Sequence, residues 1–133
     1  MQIRVYYEDT DVGGVVFYAN YLKFCERARS EAFFQKGLSP ILDDGHFVVK
    51  DLQATYHSSA KLGDILHVNS SLIELKKVSF RLHQEVYRNE NKLFEMDITL
   101  VFVDFEGKIK RMTAKDFEIL QSLFSSVADE ISV

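Results

Sequence analysis

The sequence has one cysteine, Cys25, among 133 residues. A lone cysteine rules out an internal disulfide and a cysteine-built zinc cluster, and it points to a reducing, cytoplasmic setting. No apolar run approaches the roughly 18 residues of a membrane-spanning helix. The start, MQIRVYYEDTD, has a single arginine with no apolar stretch behind it, so no secretory signal is read there. Basic residues are not in excess either. Sixteen Lys and Arg against 20 Asp and Glu give a net charge of −4. That balance argues against sequence-independent nucleic-acid binding, which needs cations to neutralise phosphates. What is present, 47% hydrophobic and 27% charged residues, describes a soluble globular chain. Its length suits one domain, residues 1–133, around one core.

The pattern along the chain is one early helix followed by strands. Ile3, Val5 and Tyr7 alternate with Arg4 and Tyr6, which predicts a first strand. Tyr21, Phe24, Cys25, Ala28 and Ala32 fall on one face of a helix over 20–36, with Asn20 as its N-cap and Gly37 just past its end. The period then changes to two. Strands are predicted over 47–57, from Ile65 after the Gly63-Asp64 turn, over 78–88, and from Leu93 to Phe105 beyond a hairpin turn at 89–91. Phe94, Met96, Ile98, Leu100 and Phe102 face one side of the last strand. Val101 and Val103 are apolar on its other side, which implies a second covering surface such as another subunit. Thr113 with Asp116 reads as a capping box opening a final helix. A sheet and a helix with one apolar face each are covered most economically by wrapping the sheet around the helix, an α+β fold.

The stretch YYEDTDVGGVVFYANY, residues 6–21, holds the chemistry. As a calcium loop it fails, because Gly13 and Asn20 stand where ligands are required, and it has no phosphate-loop lysine. A solvated turn explains acids and glycines together. The alternative is a site. Gly13 and Gly14 allow close approach of a ligand, and free N–H groups at the following helix start can hold a carbonyl oxygen as negative charge builds on it. An upstream carboxylate can then attack that carbonyl or activate water.

The block Y-x-D-T-D-x-x-G-V-V, the helix Y-x-x-x-x-E-x-A-R, the Gly63-Asp64 turn and FVDFEGKIKRM together resemble the hotdog-fold acyl-CoA thioesterases of the 4-hydroxybenzoyl-CoA thioesterase type. Within that type they are similar to the YbgC branch associated with the Tol-Pal envelope system. The resemblance spans nearly the whole chain. It implies a curved antiparallel sheet around the long helix, homodimers or homotetramers, and active sites at the subunit interface. It puts the catalytic carboxylate, as nucleophile or general base, on Asp11 and a structural role on Asp9. It puts Tyr18 where many YbgC-like members have histidine. Tyrosine there matches the 4-hydroxybenzoyl-CoA enzymes and leaves the Tyr18 backbone N–H as the group that polarises the thioester carbonyl.

The same resemblance implies an acyl-CoA substrate with no separate cofactor, since coenzyme A is part of the substrate. Candidates for contact with it are Gly14, Lys61, Ser79, Arg81 and Arg111, the last matching an arginine of the family's closing segment. Acyl-carrier protein, phospholipid enzymes and the inner membrane face are the partners the resemblance suggests. No metal ligand set is read from the sequence, and His46, His57, His67 and His83 read as structural or surface residues. Two other classes use the same fold. A hotdog dehydratase would need a histidine working with an acid on the central helix, which has none. A non-catalytic acyl-binding or scaffold protein would use the same apolar groove without the chemistry.

Overall fold

The computed structural model of the chain describes residues 1–124. In chain order they form β1 (Gln2–Arg4), a 3-10 turn (Tyr7–Asp9), α1 (Asn20–Phe34), β2 (His46–Tyr56), β3 (Ile65–Leu75), β4 (Ser79–Arg88), β5 (Asn91–Val103) and α2 (Ala114–Leu123). The strands make one antiparallel sheet in the order β1-β3-β4-β5-β2. Helix α1 crosses one face of it, touching β3 and β4. This is the α+β arrangement that the alternating strands and the single apolar helix lead one to expect, and the hotdog fold that the resemblance implies.

Period two decides which side chains meet α1. On β4, Phe80, Leu82 and Val86 are buried, and on β5 Phe94, Met96, Ile98, Leu100 and Phe102 are. The helix answers with Tyr21, Phe24, Cys25, Ala28 and Phe33. Each large side chain fully withdrawn from water contributes about 1.5–3 kcal/mol before conformational entropy is counted. One position breaks the apolar pattern. Gln84 faces inward on β4 and is 0% exposed. Its amide nitrogen donates to Cys25 O at 3.0 Å and Ser70 Oγ at 2.9 Å, and its carbonyl accepts from Arg29 Nη1 at 2.9 Å. The polar group is therefore satisfied inside the core, and it ties α1 to the sheet.

The ends of α1 differ from one another. At the C-terminal end Gly37 has φ +71, its N–H reaches Phe34 O at 3.0 Å and Leu38 N–H reaches Phe33 O at 2.9 Å. That is a Schellman closure, and it needs glycine because φ is positive. At the other end Ala19, not Asn20, is the N-cap and no side chain caps the helix. Asn20 cannot act as an N-cap because its side chain donates, through Nδ2, to Asp9 O at 2.9 Å.

Three further expectations are refined. Tyr7 does not continue β1; it enters the 3-10 turn and is exposed, since Asp9 closes that turn on the Tyr6 N–H. Val101 and Val103 are buried within the single chain. Residues after β5 fold back, with Val103 bridged to Ile109 and Lys110 N–H donating to Phe102 O, so Val103 gains cover without another subunit. Thr113 and Asp116 do form a reciprocal capping box at the start of α2.

Strand β2 is one edge of the sheet, paired to β5 on one side only. Its register slips between Val49 and Asp51, so Lys50 bulges out of the ladder. Val48, Val49, Leu52 and Tyr56 on this edge are all exposed. No helix among the described residues is long and apolar enough to cross a membrane.

Candidate functional site

The two aspartates of the loop do different things. Asp9 is buried. Its Oδ2 accepts the Tyr6 N–H at 2.8 Å, and its carbonyl accepts both the Phe17 N–H at 3.0 Å and Asn20 Nδ2 at 2.9 Å. With its lone pairs engaged this way, Asp9 pins the end of β1, the returning loop and the start of α1 to one point. Asp11 is exposed. Its backbone N–H bonds to Val15 O at 2.9 Å, and its carbonyl accepts the Gly14 N–H at 3.0 Å. Its Oδ1 accepts the Gly13 N–H at 2.8 Å, while Oδ2 has no donor among the described residues.

The glycines follow from this turn. Gly14 has φ +80, a conformation that side chains rarely adopt. A Cβ on Gly13 would stand 3.2 Å from Asp11 Oδ1, crowding the very oxygen the turn holds. The loop is then stitched to the β2–β3 connection, through Val16 N–H to Ala60 O at 2.9 Å and a bridge between Val15 and Lys61.

The chain reaches α1 through Phe17, Tyr18 and Ala19. Among the described residues the N–H groups of Tyr18 and Ala19 have no acceptor. They belong to the set of donors that every helix start leaves open, here beside the positive end of the α1 dipole. The backbone is held from the other side, because Tyr56 Oη donates to Tyr18 O at 2.8 Å. Tyr21 accepts the Ala60 N–H at 3.0 Å on its hydroxyl and stacks on Phe94 at 5.1 Å between ring centroids. Burial pushes the hydroxyls of Tyr21 and Tyr56 above the ordinary tyrosine range, so both are neutral donors and acceptors rather than bases.

Asp11, Tyr18, Tyr21, Tyr56, His57 and Ser58 line one cleft of about 350 Å³. A second depression next to it is shared by Asp11, Gly14 and Leu62. A separate cavity of about 320 Å³ runs under the second half of α1, between Arg29 and Phe33 on the helix and Phe47, Phe80 and Phe124 beneath. It contains neither Asp11 nor Tyr18. The structure thus brings Asp11, Gly14, Tyr18 and the backbone of Lys61 together.

It does not bring Ser79, Arg81 and Arg111 to them. Val86 stands opposite Phe94, which stands opposite Tyr56 at the cleft. Arg81 lies five residues back along β4, about 17 Å at 3.3 Å per residue. Ser79 is farther still. Met112 N–H donates to Lys77 O, so Arg111 also belongs to that distant end. Arg81 lies 3.5 Å from Asp97, with its Nε buried and without an acceptor among the described residues. The histidines hold a surprise. His57 meets Glu95, and His83 Nδ1 lies 2.7 Å from Asp97, partners that come from neighbouring strands and are invisible in linear spacing.

Comparison with known proteins identifies the family. The family profile of the Thioesterase superfamily matches residues 13–95, beginning two residues after Asp11. The chain is 43% identical over 113 residues to an acyl-CoA thioesterase YbgC of Helicobacter pylori, covering 78% of this chain and 85% of that one. It is 37% identical over 108 residues to an acyl-CoA thioester hydrolase YbgC of Escherichia coli O6:H1, covering 77% and 79%. A crystal structure of a probable thioesterase from Bartonella henselae superposes with a TM-score of 0.80 at 28% identity, over 85% of this chain and 97% of that one. By its fold, its loop and these identities, the chain belongs to the thioesterase superfamily.

Proposed function

We propose that this chain hydrolyses acyl-CoA thioesters in the cleft where Asp11 faces the open start of α1. One observation carries the reading. A carboxylate with one oxygen fixed by the Gly13 N–H and the other without a donor among the described residues shares a cleft with Tyr18, whose N–H at the approach to the α1 N-terminus has no acceptor among them. The thioester oxygen is received by the Tyr18 N–H, where the helix dipole favours the negative charge that develops as the carbonyl carbon is attacked. Asp11 attacks that carbon, or draws a proton from the water that does. The carbon–sulfur bond breaks, the thiolate of coenzyme A leaves and takes a proton, and water supplies the new oxygen of the free acid. The tyrosine side chain at position 18 is not required for this role, since its N–H does the work.

The coenzyme A portion needs cations that the cleft of one chain does not supply. Lys61 stands beside the loop; Arg81 and Arg111, with Ser79, stand at the far end of the sheet. Pairing two copies antiparallel along the β2 edges about a two-fold axis reverses one sheet relative to the other. The distant end of one copy is thereby carried toward the cleft of the next, and the exposed Val48, Val49 and Leu52 are covered. The working form in this reading is a dimer or an assembly of dimers.

The test is Asp11→Asn in purified protein, with thiol release from a series of acyl-CoAs as readout. A loss of at least about 100-fold in kcat with an unchanged melting transition supports the assignment. Equal turnover in the variant would remove Asp11 from the chemistry, and no thiol release by the wild-type chain would leave a non-catalytic acyl-binding role. Single turnover in ¹⁸O water probes the two roles of Asp11, because label in the Asp11 carboxylate arises only when water opens a mixed anhydride at the Asp11 carboxyl carbon, which general-base action never forms.

A further inference from the structure

The face of the sheet turned away from α1 carries a group of side chains that the thioesterase reading does not use. Register puts Glu85 of β4 directly opposite Glu95 of β5, and His83 opposite Asp97. Two like charges directly opposed across strands destabilise a sheet unless a cation lies between them. We propose that this face binds one divalent transition-metal ion of the zinc kind, held by His83 Nε2, Glu85 and Glu95.

The histidine is prepared for it. With its Nδ1 hydrogen donated to Asp97 Oδ1, 2.7 Å away, the imidazole is fixed in the tautomer that presents a lone pair on Nε2. A carboxylate behind a histidine is the usual support of a metal ligand. Nε2 then looks at Glu85 Oε2 across 3.6 Å and at Glu95 Oε1 across 3.7 Å. Those gaps are too wide for a hydrogen bond. They are close to the roughly 3.4 Å that separates two ligands bound tetrahedrally to zinc at 2.0–2.2 Å. All three ligand atoms lie within 4.8 Å of one another. The second oxygen of Glu95 is engaged by His57, which leaves Oε1 for the ion. One nitrogen with two carboxylates suits zinc and its transition-metal neighbours better than magnesium, which demands an octahedron of oxygens.

The remaining charges that face the group are Lys92 and Arg81. Arg81 meets Asp97 on its other oxygen. Lys92 Nζ lies 2.5 Å from Glu85 and 3.6 Å from Glu95, so without metal it is the cation that quiets the opposed glutamates. It sits on a four-carbon stem by the β4–β5 turn and can turn out to solvent when a dication arrives. Lysine and metal thus compete for the same two carboxylates, and this competition is what distinguishes a built site from casual binding to surface histidines.

Isothermal titration of chelator-treated full chain with zinc chloride, in excess magnesium, tests this. One equivalent is expected to bind. His83→Gln should weaken binding by at least about tenfold, and Lys92→Met should tighten it several-fold, while His67→Gln, outside the group, leaves it unchanged. Cobalt should give a visible absorption of tetrahedral strength in the wild type that His83→Gln loses. Wild-type affinity in His83→Gln, or no gain in Lys92→Met, overturns the proposal. The lysine variant guards against a His83 change that merely loosens the fold.

Discussion

Gln84 offers the sharpest test of how α1 is fastened. Gln84→Ala removes one hydrogen bond to the Cys25 carbonyl, one to Ser70 and one from the Arg29 guanidinium. Neutral bonds of this kind contribute about 1 kcal/mol each and one to a charged group about 1.5 kcal/mol or more. Arg29 is only partly buried, so its share is taken at the low end. The loss is about 3.5 kcal/mol, with a further ~0.8 kcal/mol for a methylene no longer filling its place. In urea, with a slope of about 2 kcal/mol per molar for a chain of this size, the midpoint should fall by roughly 2 M at constant slope. Gln84→Leu restores volume without the polar contacts and should recover only a small part of that shift. If Gln84→Ala moved the midpoint by less than about 0.5 M, the bridge from sheet to helix would not be holding α1. If Gln84→Leu matched the wild type, the cost would be one of packing and not of hydrogen bonding.

Two more outcomes follow from titrating groups. Cys25 is fully buried and burial pushes its thiol up to about 12. At pH 8 only about one part in 10⁴ is thiolate, against roughly a quarter for a free cysteine. Ellman's reagent should therefore label the unfolded chain at least about a thousandfold faster than the native one, and rapid native labelling would mean that α1 lifts from the sheet. At Asp64, burial pushes the carboxyl up, but the Lys61 N–H and the Arg88 guanidinium outweigh it and hold the group below the ordinary carboxylate range. A folded value below the unfolded one means the stabilisation is whole above about pH 4 and is lost as pH falls through the folded value. Asp64→Asn should cost about 1–2 kcal/mol at neutral pH, with the gap to wild type closing toward pH 2. A gap independent of pH would show that charge at Asp64 is irrelevant.

Local pattern carries far in this chain. Alternation marked the inward faces of β4 and β5, the Gly63-Asp64 turn marked the start of β3, and Gly37 marked the end of α1, because in each case neighbours in sequence settle the conformation. Where partners lie far apart in the chain, the pattern falls silent. Gln84 looks like a surface residue until Arg29 and Cys25, on a helix more than fifty residues earlier, are brought against it. His57 and His83 look idle until strand register supplies Glu95 and Asp97. Ser79, Arg81 and Arg111 have the right chemistry for phosphates, yet composition says nothing of the strand length that separates them from Asp11. Family spacing separates Asp9 from Asp11, and the fold adds what spacing lacks: Asp9 is taken up as a cap of the 3-10 turn, while Asp11 Oδ2 has no donor among the described residues.

The bulge at Lys50 sets a limit on what the β2 edge can become. A flat, apolar strand edge is a template that any extended segment can extend without end. Here the ladder is interrupted mid-strand and a lysine stands at the break, so a second strand finds continuous hydrogen bonding only up to that point. The edge can accept a partner bearing the same interruption in the matching place and rejects one that slides past it. A selective seam of this sort keeps a sticky surface from seeding fibres while it remains open to one particular fit.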